Sequence, residues 1–222
     1  VPRVAKTVYV GGEAGEKFLK SIGLVFELKT SLDPLAPLTV IAPDAVVSPQ
    51  ALWSYVERGG CVFFLGHPQG GVDYFGAKTV LEKNFRGSTT PPGEPEFAGL
   101  SASDLRLKTD LDWRTLSPEG MPGLQRLADG MLGLRKQGRG EAVWAQLGPD
   151  LLQGDKKELP EYLRFTRWRQ CRAISQILAN LGATFQADAR VFRPQIERIS
   201  LAGPWAVKMT SELPPVEGKH AD

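Results

Sequence analysis

Histidine and cysteine are nearly absent from this chain: two of each stand among 222 residues, His67 and His220, Cys61 and Cys171. No Cys or His pair has ligand spacing, which argues against a zinc site, and no metal or other cofactor is expected. Two cysteines in predicted buried elements give no disulfide framework and leave the redox compartment open. No apolar run approaches the roughly 18 to 20 residues that cross a bilayer, and no basic-then-apolar leader opens the chain. A soluble chain with no membrane partner is therefore expected. An excess of one charge is lacking too, since 27 Lys and Arg against 25 Asp and Glu leave +2. The charges are interspersed, so no polyanion-binding surface is indicated and nucleic acid is not an expected partner. The chain starts at Val1 without methionine and ends in the polar run 217–222, and the expectation is a piece of a longer polypeptide.

What the chain has is α/β punctuation. Leu38-Thr39-Val40-Ile41-Ala42 is a short apolar strand, Ser48-Pro49 opens a helix carrying Leu52, Tyr55 and Val56, Gly59-Gly60 closes it, and Cys61 to Leu65 is a second buried strand. Ahead of these, Thr7 to Val10 reads as a strand and 13–22 as a helix with Phe18, Leu19 and Ile22 on one face. Gly23 sits where a left-handed cap ends that helix, and 24–28 reads as the next strand. This order predicts a doubly wound, mainly parallel sheet with right-handed crossovers. In such sheets the loops at the carboxyl ends of the strands hold the ligand. Those loops read Pro43-Asp44 and Gly66-His67-Pro68-Gln69-Gly70-Gly71.

Later segments read differently. Residues 84–95 form an exposed Pro- and Gly-rich loop, and 105–127 reads as short strands and loops. Alternating segments around Gln137-Gly138-Arg139-Gly140 predict an added β-hairpin. Ile174, Ile177, Leu178 and Leu181 recur at helical spacing before Gly182, which predicts a helix over 163–181 packed on the sheet. Residues 187–194 are a connector, and 199–209 is a new apolar run interrupted by Gly203-Pro204.

Through Leu38 to Pro43, Gln50 to Gly60 and the strand that follows, residues 7–188 resemble a class I glutamine amidotransferase-like domain with a flavodoxin-like sheet. Domains of this type are embedded in large bacterial glycoside hydrolases, including the trimerisation domain of some β-galactosidases. Ile199-Ser200-Leu201-Ala202-Gly203-Pro204-Trp205 looks like the entry strand of the sugar-binding jelly roll of family 2 glycoside hydrolases. The resemblance divides the chain into an amidotransferase-like domain over 1–190 and, over 191–222, a linker with the incomplete stub of a β-sandwich. It implies a β-galactosidase-like parent with a periplasmic or extracellular address. The implied partners are other domains of the same polypeptide, neighbouring subunits, or carbohydrate.

The chemistry of that family is missing from its expected places. An active member needs a cysteine thiolate at the turn after the strand, backed by histidine and a carboxylate. The turn here holds Gly66-His67-Pro68, and Pro68 has no N–H to offer an oxyanion. Cys61 begins the strand, about 15 Å away by the rise of a strand, and both it and Cys171 read as packed thiols. Where the family's distal His-x-Glu would fall, this chain has Gln146 to Asp150. Glu94, Glu96, Asp110 and Asp112 give no rigid acid pair for glycoside hydrolysis. Gly11, Gly12, Gly70 and Gly71 match no phosphate-loop pattern and read as turn glycines.

Asp44, His67 and Gln69 line a candidate ligand crevice, with ordinary polar turns as the plainer reading. Arg164, Arg167, Arg169 and Arg172 follow Glu158 and Glu161 at pairing distance and read as a solvated helix face. Tyr162, Phe165 and Trp168, at three-residue spacing, read as core or as an interface. The function expected is a non-catalytic structural or interaction module. A small-molecule or sugar-binding domain, and an amidotransferase-like or ester hydrolase enzyme using His67 and Asp44, are the alternatives.

Overall fold

The computed structural model describes residues 5–66, 74–119, 122–148 and 161–186. It is an α/β fold with a seven-stranded sheet, a separate two-stranded antiparallel ribbon and four helices. Strands β1 (Thr7–Val10), β2 (Glu27–Lys29), β3 (Leu38–Ile41), β4 (Cys61–Leu65), β5 (Thr79–Gly87), β6 (Arg106–Leu116), β7 (Gln125–Leu127), β8 (Leu132–Gln137) and β9 (Gly140–Ala145) alternate with α1 (Glu13–Ser21), α2 (Pro49–Glu57), α3 (Ala102–Leu105) and α4 (Glu161–Asn180). The main sheet runs β2-β1-β3-β4-β9-β8-β7. Its first five strands are parallel, and β8 and β7 fold back as antiparallel neighbours.

Strand alternation sends side chains to two apolar layers. Tyr9, Leu38, Val40, Phe63, Leu65 and Val143 face the layer that receives Phe18 and Leu19 of α1 and Ala173, Ile174, Ile177 and Leu178 of α4. Val8, Val10, Ile41, Val62, Phe64 and Trp144 face the other, against Leu52, Tyr55 and Val56 of α2. In that second layer the Phe64 ring stacks on Trp144 at 5.0 Å and on Tyr74 at 5.4 Å. Such fully buried aromatics contribute most of the apolar area per residue.

The expected helix ends are found. Ser48 caps α2, its hydroxyl accepting from the Ala51 N–H at 3.4 Å, with Pro49 in the first turn. Past α1, the Gly23 N–H donates to Lys20 and the Leu24 N–H to Leu19. Gly23, at φ +78, supplies the left-handed residue that this closure requires. The hairpin around Gly138 forms as expected, β8 pairing with β9 from Leu132↔Ala145 to Gln137↔Gly140.

Three expectations are corrected. The strand read over 24–28 is β2 at Glu27–Lys29, because the Leu24 amide is spent on the helix cap. The loop read from residue 84 begins after Gly87, and 105–127 holds an 11-residue strand, β6, paired with β5. Its buried face carries Leu107, Trp113 and Thr115 while Arg106, Lys108, Asp110 and Asp112 point outward. The hydrogen-bonded pairing outweighs the low strand propensity of those aspartates. The connector, the 199–209 run and the sandwich stub lie outside the described residues.

Candidate functional site

In a doubly wound sheet the ligand crevice opens where strand order reverses, which here is between β1 and β3. The residues that reach it are Gly11 and Gly12 after β1 and Pro43 and Asp44 after β3. The Gly12 N–H donates to Asp44 Oδ1 at 3.1 Å. A Cβ placed on Gly12 would meet Asp44 Oδ2 at 2.1 Å. From below, the buried Tyr9 hydroxyl donates to the Gly12 carbonyl at 2.8 Å. Carboxylate and phenol thus occupy the gap between the two loops. No Gly12 side chain can cap α1, and the Asp44 carboxylate supplies negative charge at that helix end. Of the three expected crevice residues, Asp44 is placed as a loop tie, while His67 and Gln69 lie outside the described residues.

The second reactive group sits at the other end of the sheet. Gly66 closes β4 in the left-handed region, its N–H donating to Ala145. Cys61 opens β4 opposite Glu141 of β9 and donates to Glu141 Oε1 at 3.7 Å. Burial pushes the Cys61 thiol well up, and the neighbouring Glu141 pushes it further, so no thiolate nucleophile is poised there. Burial also raises Glu141 to about 7, reinforced by the facing carboxyl of Glu96. Although burial opposes it, Glu96 is held below the usual range by its own amide N–H, Glu141 and Lys136. Lys136 Nζ lies 3.1 Å from Glu96 Oε1. The buried Glu96 Oε2 has no hydrogen-bond partner among the described residues. The two carboxyls push each other's proton affinities apart, Glu141 upward and Glu96 downward, so the pair shares one proton.

A pH dependence follows with a definite sign. Glu141 binds its proton more tightly in the folded chain, so its contribution is complete below its unfolded value near 4.5 and is lost as pH rises through about 7. Glu96 acts in the opposite sense, contributing above its unfolded value and losing that contribution as pH falls through its lower folded value. Between about pH 5.5 and 8 the first effect governs, and after discount for partial exposure it amounts to about 1–2 kcal/mol. Glu141→Gln keeps a donor toward Glu96 and removes the titration. Urea midpoints should fall over that range in the native chain and stay level in the variant, whereas parallel falls would contradict the shared proton.

On α4, Phe165 is 54% exposed and Trp168 64%, so these two are surface residues and the core reading of them is overturned. They leave the packed face to Ala173, Ile174, Ile177 and Leu178. The Tyr162 side chain lies outside the described residues. Arg169 and Arg172 depart from the solvated-face expectation: Arg169 Nη1 donates to the Ser103 carbonyl at 3.3 Å, and Arg172 Nη1 donates to the buried Asp104 at 2.8 Å. Among the described residues, no group of three or more His, Cys, Asp or Glu is placed to hold a metal, and no helix is long and apolar enough to cross a membrane.

No family model and no curated protein matches the chain. Solved structures do. A cytoplasmic protein from Salmonella typhimurium LT2 is 11% identical with a TM-score of 0.49, over 78% of this chain and 99% of that one. The exo-beta-1,4-mannosidase Op5Man5 from Opitutaceae bacterium strain TAV5 is 13% identical with a TM-score of 0.45, over 82% of this chain and 37% of that one. The beta-galactosidase from Rahnella sp. R3 is 10% identical with a TM-score of 0.36, over 78% and 31%. Glycoside hydrolases are therefore among its weak structural neighbours, and at these values the likeness assigns no family.

The Cys61, Glu96 and Glu141 cluster was not found from the sequence. Its one legible signal is Glu141 itself, an acid opening a strand whose next residues, from Ala142 to Ala145, are all buried.

Proposed function

We propose that this chain is a non-catalytic packing module of a multidomain glycoside hydrolase, built on a flavodoxin-like, amidotransferase-like sheet. The observation that carries the reading is the filled switch point, where Asp44 and Tyr9 take the space and the hydrogen-bonding groups that a ligand would use. The order β2-β1-β3-β4-β9 supports the flavodoxin-like part of it, since that is the order such sheets adopt. The thiol lies at the wrong end of β4 and is kept protonated, which removes the nucleophile that amide hydrolysis needs. The carbohydrate setting rests on the sequence resemblance at 38–60 and at 199–205.

In this reading Phe165 and Trp168 seat a neighbouring domain of the same polypeptide, since exposed aromatics near each other on a helix serve as anchors at interfaces. The test uses the full parent polypeptide carrying Phe165→Ser and Trp168→Ser together. The neighbouring domain should melt lower by roughly 4 °C or more, while the isolated chain keeps its urea midpoint. The native chain should release no ammonia from glutamine above background. An unchanged parent polypeptide, or ammonia release abolished by Cys61→Ser, would overturn the proposal.

A further inference from the structure

The β5–β6 ribbon, α3 and α4 enclose an open groove of about 640 Å³ whose walls carry Arg86, Arg106, Lys108 and Arg169 against one carboxylate, Asp110. That count leaves three positive charges in excess. Period-two alternation along β6 places Arg106 and Lys108 on its exposed face. Asp110, on the same face, is engaged by the Arg86 fork, with Nη2 3.2 Å from Oδ2. Arg169 arrives from α4 and spends one N–H on the Ser103 carbonyl. Arg106 and Lys108 have no ion pair or side-chain hydrogen bond among the described residues. Two cations held side by side without a counter-charge repel each other, and a bound anion relieves this.

We infer that this groove binds a small molecule bearing two or more phosphate or sulfate esters. Its volume lies in the range of small-molecule sites. Guanidinium forks donate paired N–H groups to tetrahedral oxyanions, and a lysine adds a point charge beside them. A single oxyanion would neutralise only part of the excess, which is why the ligand class is multivalent. The site is independent of the packing role, and each can fail without the other.

The test is isothermal titration of the full chain with inorganic pyrophosphate and, separately, with a sulfated disaccharide, each at roughly 0.02 M and 0.15 M salt so that screening is varied. One probe or both should bind at a single site per chain, more weakly at the higher salt. Which probe binds more tightly separates phosphate groups from sulfate groups. Arg106→Gln with Lys108→Gln, both exposed and therefore compatible with the fold, should weaken binding by roughly tenfold or more. Lys17→Gln, a distant exposed lysine on α1, should leave it unchanged. No binding of either probe at low salt, binding untouched by the double variant, or equal weakening in the Lys17 control would each overturn the assignment.

Discussion

Trp113→Ala should remove about 3–5 kcal/mol of folding stability, the range for deleting a buried aromatic. Trp113 is 1% exposed although it belongs to the two-stranded ribbon rather than the main sheet. Its indole packs in the layer that also holds Phe63, Val143 and Ile174. Its Nε1 donates to the Gln146 carbonyl at 2.7 Å, just past the end of β9. The truncation thus leaves both a cavity and a buried carbonyl without a donor, and the second loss adds its own desolvation cost. Trp113→Phe separates the two, since it keeps most of the volume and should cost less than half as much. Urea unfolding of both variants measures the difference. An effect of Trp113→Ala under about 1 kcal/mol would mean that the ribbon is a surface appendage. If it is as large as expected, the cationic groove formed by the far end of β6 is held rigidly by the core.

The elements that sequence reasoning found are those whose signal is local. Ser48-Pro49, Gly59-Gly60 and Gly182 punctuate helices, and the apolar runs of β1, β3 and β4 are buried on both faces, so each is readable without knowing its neighbours. The ribbon was not readable in this way. Asp110 and Asp112 keep the alternation of β6 but are poor strand formers, and β5 is irregular, with register shifts between Glu82 and Phe85 and again before Gly87. Only the pairing of the two makes them strands. The site shows the same division. Asp44 was legible as a strand-end residue because the order of elements places it there, but its partner is the amide of Gly12, fixed by the parallel pairing of β1 with β3. Glu141 meets Cys61 only through the β4–β9 register, and Glu96 joins from the short 3-10 turn Pro95–Phe97. The cationic groove was hidden by the near-zero net charge, because Arg86, Arg106, Lys108 and Arg169 come from three elements whose neighbours in sequence carry balancing acids.

Gly140→Ala should cost about 3 kcal/mol or more, at the upper end for overpacking, although a glycine opening a strand looks replaceable. A Cβ there would lie 2.2 Å from the Gly60 carbonyl oxygen and 2.3 Å from that of Val56. Both are backbone atoms, so no side-chain rotamer can yield. That backbone is also tied down, with the Gly60 N–H donating to Tyr55, Arg139 to Glu57, and Glu141 to Gly60. The Tyr55 hydroxyl further bridges the carbonyls of Ala36 and Cys61 at 2.7 and 3.2 Å. Relief therefore requires the α2 end and the starts of β4 and β9 to separate together. Gly93→Ala is the matched control, because nothing lies within 4 Å of its Cβ, and it should be neutral or stabilising by a few tenths of a kcal/mol. Because Gly140 adjoins Glu141, displacement of β9 should also loosen the shared proton and shift the fall in stability to lower pH. A variant as stable as the control would show that the two strands do not approach each other this closely.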